Sequence, residues 1–195
     1  MSEAVTGLVL AGGRARRMGG GDKGLREFRG RPLVLHAIER LRPQVDILLV
    51  NANQNRETYA ALGWPVIADA VSASVEAYAG PLVGLQAGLR ACTTPLLLSV
   101  PCDSPLLPAD LAARLGTALR EELAEVAVAR TPSGLQSVFS LCRKDVLDSL
   151  TLFLDGGGRK VDAWHQALRV VVVDFADEAA FVNINTLAEL ERLQT

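Results

Sequence analysis

Apolar residues arrive along this chain in two rhythms. Thr6–Ala11 (TGLVLA), Asp46–Ala52 (DILLVNA), Pro65–Ala68, Pro95–Val100 and Leu168–Phe175 (LRVVVVDF) are apolar at nearly every position over strand length. That is the pattern of strands covered on both faces. Between them the period lengthens. Pro32–Leu41 places Leu33, His36/Ala37 and Leu41 on one face with Ile38 beside them, which predicts an amphipathic helix. Arg56–Leu62, Pro81–Ala91 and Pro108–Leu119 read as helices, the last with proline at its start and a Leu/Ala stripe. Glu125–Arg130 and Gln136–Cys142 read as two strands joined by the turn-forming TPSG. Lys144–Leu154 is helical in pattern and stops at Gly156–Gly157–Gly158; a short helix over Arg159–Gln166 and a terminal one over Thr186–Leu193 complete the set.

Strands of this kind alternating with helices predict an α/β fold: a three-layer αβα sandwich whose mostly parallel, Rossmann-like sheet contains one or two antiparallel strands. At 195 residues, about half of them apolar, the chain is expected to form a single domain over residues 1–195. No internal repeat or low-complexity linker interrupts it. The net charge of −2 argues against a general nucleic-acid or anionic-membrane binder. Cys92, Cys102 and Cys142 lack metal-type spacing and are odd in number, as reduced, mostly buried thiols of a cytoplasmic protein would be. No secretory signal and no run of membrane-spanning length is visible.

Charge is unevenly placed. Arg14, Arg16, Arg17, Lys23, Arg26, Arg29 and Arg31 hold seven of the chain's 20 lysines and arginines, against only Asp22 and Glu27 nearby. Most of them fall in LAGGRARRMGGGDKGL, residues 10 to 25, directly after the first strand. Ligands of such sheets bind at the carboxyl ends of strands, and connections this long are usually functional or disordered. Glycines let consecutive amides approach a phosphate, while Arg17 and Lys23 could neutralise charge on a leaving pyrophosphate. A Walker loop is excluded because Asp22 and Gly24 flank Lys23, and a dinucleotide fingerprint because Gly12–Gly13 does not enter a helix directly.

Other candidates lie at predicted strand ends. PLLLSVPCDSPLLP, residues 95 to 108, ends its strand in Asp103, a carboxylate suited to Mg²⁺ or to capping the following turn. Asn183 and Asn185 alternate with Val182 and Ile184, so both amides share one face of an extended segment. They suit a ligand or a metal's water shell, or an edge that caps the last helix through Thr186. Asn51 and Asp69 are either turn residues or readers of a base edge and ribose. Cys102 and His36 are assigned to packing and His165 to a surface helix beside Trp164. Gly156–Lys160 is a linker or a contact for an anionic acceptor.

LAGG-x-x-x-RMG-x-x-DK resembles the signature of nucleotidyltransferases that activate a sugar phosphate or cofactor phosphate with a nucleoside triphosphate. With VNAN (50–53), VIAD (66–69), GPLVGL (80–85), PCDSP (101–105) and FVNINT (181–186) in order, the chain is most similar to the bacterial molybdenum cofactor guanylyltransferases. The resemblance implies a nucleotide-diphospho-sugar transferase-like fold and transfer of GMP from Mg²⁺-bound GTP to the phosphate of molybdenum-molybdopterin. It implies nucleotide contacts from the backbone amides of Leu10, Ala11, Gly12 and Gly13, and from Lys23 and Arg17 at the β- and γ-phosphates. Asp103 would hold the metal with Asn185 near it, Asn51 and Asp69 the base and ribose, and Gly80 and Gly84 would let backbone pass close to the base. Gln136 stands where the family often has a His-Pro or Gln-Pro turn, but no proline follows. A monomer is expected, with no nucleic-acid or membrane partner and only transient contacts to other molybdenum cofactor biosynthesis proteins. The alternatives are cytidylyl transfer to a related cofactor, guanylyl transfer to a cobalamin precursor or sugar phosphate, a silent nucleotide-binding module, and an NAD-dependent enzyme, the last disfavoured by its glycine spacing.

Overall fold

The structure is a computed structural model in which residues 3–11, 22–69, 80–186, 189 and 192 are described. Along the chain run β1 (Val5–Leu10), β2 (Glu27–Phe28), β3 (Arg31–Pro32), α1 (Leu33–Leu41), β4 (Ile47–Asn51), α2 (Arg56–Ala60), β5 (Val66–Ile67) and α3 (Pro81–Ala91). They are followed by β6 (Leu96–Pro101), α4 (Leu111–Glu121), β7 (Val126–Thr131), β8 (Gly134–Arg143), α5 (Leu147–Asp155), α6 (Val161–His165) and β9 (Val170–Asp174). Seven strands make one sheet in the order β5-β4-β1-β6-β8-β7-β9. Its pairs are parallel except those of β8, which runs against both β6 and β7. The expected mostly parallel sheet is present, with one reversed strand among the described residues.

Each central strand feeds two cores. In β1, Leu8 joins the cluster built with Leu82, Leu85 and Leu89 of α3, while Val9 joins the one built with Ala37 and Leu41 of α1. The same division puts α1 and α4 on one face of the sheet and α3, α5 and Trp164 of α6 on the other. Near-continuous apolar strands are what this two-sided burial requires. α3 lies unusually close to the sheet. A Cβ added at Gly88 would collide with Leu8, and one at Gly84 would stand 2.5 Å from Asn51 Oδ1 and 2.8 Å from Leu10 Cδ2. The helix therefore starts over the carboxyl ends of β1 and β4 and descends along β1.

Several boundaries differ from expectation. The predicted first loop contains a small hairpin, β2–β3, turning through Arg29 and Gly30, both at positive φ (51° and 74°). α4 starts at Leu111 rather than Pro108, with the Ala112 N–H held by the distant Gln44 side chain at 3.0 Å. Lys144–Val146 is a 3₁₀ turn leading into α5, and another 3₁₀ turn covers Glu178–Phe181. The terminal helix predicted over Thr186–Leu193 falls mostly outside the described residues. His36 is only half-buried, its Nε2 2.8 Å from Phe28 O and its ring edge-on to Phe28. His165 was expected on a surface helix; it is instead buried against Trp164, with Nε2 unpartnered and its pKa lowered by desolvation. All three cysteines are free and buried; burial pushes Cys142 up to about 12 and Cys102 well above the ordinary thiol value.

Candidate functional site

The parallel register brings Leu10, Asn51 and Pro101 side by side at one edge of the sheet. Two backbone bonds extend the sheet past that edge. Ala11 N–H is donated to Asn51 O at 2.8 Å, and Cys102 N–H to Leu10 O at 3.1 Å. Donation to Asn51 removes the Ala11 amide from the set of free donors expected to meet a phosphate. Gly12, Gly13 and Arg17 lie outside the described residues.

Beyond β6 the chain presents Asp103, 6% exposed, whose carboxylate forms an ion pair with Lys23. The same ammonium donates to Asn185 Oδ1 at 2.5 Å, so residues from three remote parts of the sequence meet at one cation. Asp103 is fixed from behind by its own backbone: Ile184 N–H donates to Asp103 O at 3.0 Å, and buried Ser104 donates its hydroxyl to Asn183 Oδ1 at 2.5 Å. Asn183 is thus a tether, and its carbonyl accepts the Asn185 amide at 3.1 Å. Asn185 is fixed from the other side by a reciprocal capping arrangement. Glu189 N–H donates to Thr186 Oγ1 at 3.1 Å, while Glu189 Oε2 accepts the Thr186 N–H at 3.0 Å and the Asn185 N–H at 2.7 Å. Those backbone donors hold the Glu189 carboxyl below its ordinary pKa. Thr186 takes the capping position, and Asn185 in the same segment meets Lys23.

The second cluster sits at the tips of β4 and β5. Asn51, 2% exposed, donates Nδ2 to Asp69 Oδ1 at 2.9 Å. Asn53, which sequence reasoning passed over, donates Nδ2 to Asp69 Oδ2 at 2.7 Å and accepts the Asp69 N–H at 2.9 Å. Gly84 leaves room for the Asn51 oxygen. Gly80 is demanded by its backbone, at φ 94°, immediately before Pro81 opens α3. A Cβ there would face Arg159 O at 3.8 Å, so the second basic loop, Gly156–Lys160, reaches the same edge. Gln136 donates instead to Thr131 Oγ1 at 3.0 Å within the β7–β8 hairpin.

Asp103 and Asn185 offer two oxygens that already converge on one positive charge, the Lys23 ammonium. Among the described residues no three His, Cys, Asp or Glu side chains form a protein-only cage. Few protein ligands, with phosphates and waters completing the shell, is the habit of Mg²⁺. The residues fit it.

The chain belongs to the MobA-like NTP transferase domain family, whose profile matches residues 7–170, and so to the nucleotidyltransferases. Within that family it is similar to molybdenum cofactor guanylyltransferases. That of Ralstonia nicotianae is 51% identical, over 97% of this chain and 95% of the relative, and that of Methylibium petroleiphilum is 48% identical over 100% and 97%. Among solved structures, molybdopterin-guanine dinucleotide biosynthesis protein A of Archaeoglobus fulgidus matches with a TM-score of 0.79 at 20% identity, over 97% of this chain and 96% of that one. The 4-diphosphocytidyl-2C-methyl-D-erythritol synthase of Anaerococcus prevotii gives 0.73 at 13%, over 98% and 97%. These two likenesses show the fold alone. Among the described residues no helix is long and apolar enough to cross a membrane.

Proposed function

We propose that this chain transfers GMP from GTP to the phosphate of molybdenum-molybdopterin, releasing pyrophosphate. A phosphate oxygen of the acceptor forms a bond to the α-phosphorus while the bond to the bridging oxygen of the β-phosphate breaks. The acceptor phosphate is already ionised at neutral pH, so no side chain need remove a proton. The work left to the protein is alignment and charge neutralisation. Lys23 turns from Asp103 towards the β- and γ-phosphates and stabilises the departing pyrophosphate. Asp103 and Asn185 would hold Mg²⁺, which would supply charge neutralisation to the triphosphate. Arg17 and the amides of Gly12 and Gly13 act on the same phosphates. Asp69, supported by Asn51 and Asn53, meets the nucleoside, and the Arg159–Lys160 loop receives the anionic acceptor. The enzyme works in the cytoplasm as a monomer, in transient contact with other proteins of molybdenum cofactor biosynthesis.

The observation that carries this reading is the meeting of Lys23, Asp103 and Asn185 at the carboxyl edge of the sheet. Thermal unfolding with GTP, CTP or ATP, each with and without Mg²⁺, tests it. At a hundredfold excess over Kd, GTP with Mg²⁺ raises the midpoint by about 5–10 °C, more than either competitor. A larger shift with CTP overturns guanylyl choice. No shift with any triphosphate overturns the enzymatic reading.

A further inference from the structure

Lys23 sits in a turn that is braced from two sides. Asp22 and Gly24 flank it, and the Gly24 N–H donates back to Asp22 Oδ1 at 3.1 Å, closing an Asx turn around the lysine. Asp22 is held by two side chains of its own. Its Oδ1 accepts the Tyr59 hydroxyl at 2.5 Å and its Oδ2 the Asn55 amide at 3.1 Å. Tyr59 is fully buried on α2, an otherwise exposed helix (RETYA), and its pKa is pushed far up, chiefly by burial, so the phenol is a permanent donor. It lies directly beneath the turn: a Cβ added at Gly24 would collide with its hydroxyl and stand 3.3 Å from Cys102 Sγ. One phenol therefore props the peptide that carries Lys23 and sits beside the residue preceding Asp103. The far end of the turn is tied to α1, with Val34 N–H on Gly24 O at 2.9 Å and Leu33 N–H on Arg26 O at 2.8 Å.

We propose that Tyr59 and Asp22 are positioning residues that hold the Lys23 ammonium in line with the reacting phosphates. This rests on the reading of Lys23 and Asp103 as the reaction centre. The turn is suspended between α1 and the phenol, so losing the hydroxyl releases one end of it while the ring still fills the core. Ground-state contacts to the nucleotide made by other parts of the edge are unaffected. The effect falls on kcat rather than on KM.

The test is a mutant cycle of Tyr59→Phe and Lys23→Ala, with kcat and KM for GTP taken from steady-state turnover and the rates of slow variants from single turnover with enzyme in excess. Tyr59→Phe lowers the rate about 10- to 50-fold, leaves KM for GTP within about threefold, and keeps the GTP-induced thermal shift. In the Lys23→Ala background the same substitution costs less than about twofold, because the group it acts through is gone. Multiplicative losses across the cycle, or an unchanged rate in Tyr59→Phe, overturn the assignment. Full activity in Lys23→Ala alone overturns the reaction-centre reading itself. Should Tyr59→Phe fail to fold, Asp22→Ala, which removes both acceptor oxygens of a partly exposed side chain on the same hydrogen bond, carries the same cycle with the same outcomes.

Discussion

The two clusters at the carboxyl edge are built on opposite principles. At the tips of β1 and β6, Lys23 meets Asp103 and Asn185, with side-chain exposures of 15% for the lysine and 9% for the aspartate. A partly buried ion pair of this kind is a weak stabiliser, because desolvation offsets much of the Coulombic attraction. Each partner is therefore free to change hands when a ligand brings phosphates for the cation and a metal for the anion. At the tips of β4 and β5, both Asp69 oxygens accept from neutral amides, and its own N–H is returned to Asn53. Nothing there needs to move. On the proposed function, one cluster exchanges partners during turnover and the other stays as it is, which would separate reaction from recognition within one row of strand ends.

The largest break in that contrast comes from Asp103→Ala. Loss of the carboxylate removes the lysine's counter-charge and an oxygen donor for the cation, so kcat/KM falls by about a thousandfold or more. Stability changes far less. The orphaned ammonium reaches water, and the cost is about 1–2 kcal/mol, a midpoint change of about 3–6 °C. Pyrophosphate release and thermal unfolding measured on one preparation check both halves. Near-wild-type turnover would remove Asp103 from the reaction.

Much of the fold was legible because burial on both faces leaves little room for polar residues. Runs such as LLLSVP (96–101) survive only in covered strands, and the helices facing them keep their apolar stripes. What stayed illegible depended on partners far away in sequence. The β2–β3 hairpin consists of two-residue strands with an arginine at positive φ, where Asn-Gly would have been the turn signal. The start of α4 is set by Gln44, not by its own Pro108. In the site, Asp103, Lys23, Asn185, Asn51 and Asp69 were all singled out from strand-end position or from resemblance. Asn53 was missed although it repeats the i, i+2 spacing that drew notice to Asn183 and Asn185. Tyr59 was missed because a lone tyrosine in a polar five-residue helix gives no sign of what lies beneath its hydroxyl. His165 was misplaced because a short helix after a glycine run reads as surface, whereas Trp164 draws it into the core.

Gly84→Ala probes the second cluster more gently. The new Cβ would meet Asn51 Oδ1 at 2.5 Å, and since neither β4 nor α3 can yield easily, the amide must turn away from Asp69. Overpacking of this kind costs about 1–3 kcal/mol in stability. The kinetic signature expected is a rise of about tenfold in KM for GTP with kcat within about twofold, because a misaligned polar group weakens ground and transition states alike. A fall in kcat with KM unchanged would show that α3 serves the reaction instead.

The smallest expected effect is the most discriminating. Asn53→Ala removes a two-point clamp, one amide donated to Asp69 Oδ2 and one carbonyl accepting the Asp69 N–H, but leaves Asn51 on Oδ1. Asn53 is only partly buried, so water can replace what is lost. The net cost is about 1 kcal/mol, which is about fivefold in affinity. If Asp69 is a fixed acceptor for the nucleoside, that fivefold appears wholly in KM for GTP, and the double variant with Tyr59→Phe shows the kcat loss of the one and the KM rise of the other, each unchanged, since the clusters share no side chain. If Asn53→Ala lowers kcat as much as it raises KM, the Asp69 cluster moves during turnover, and the division between a yielding and a rigid half of the edge fails.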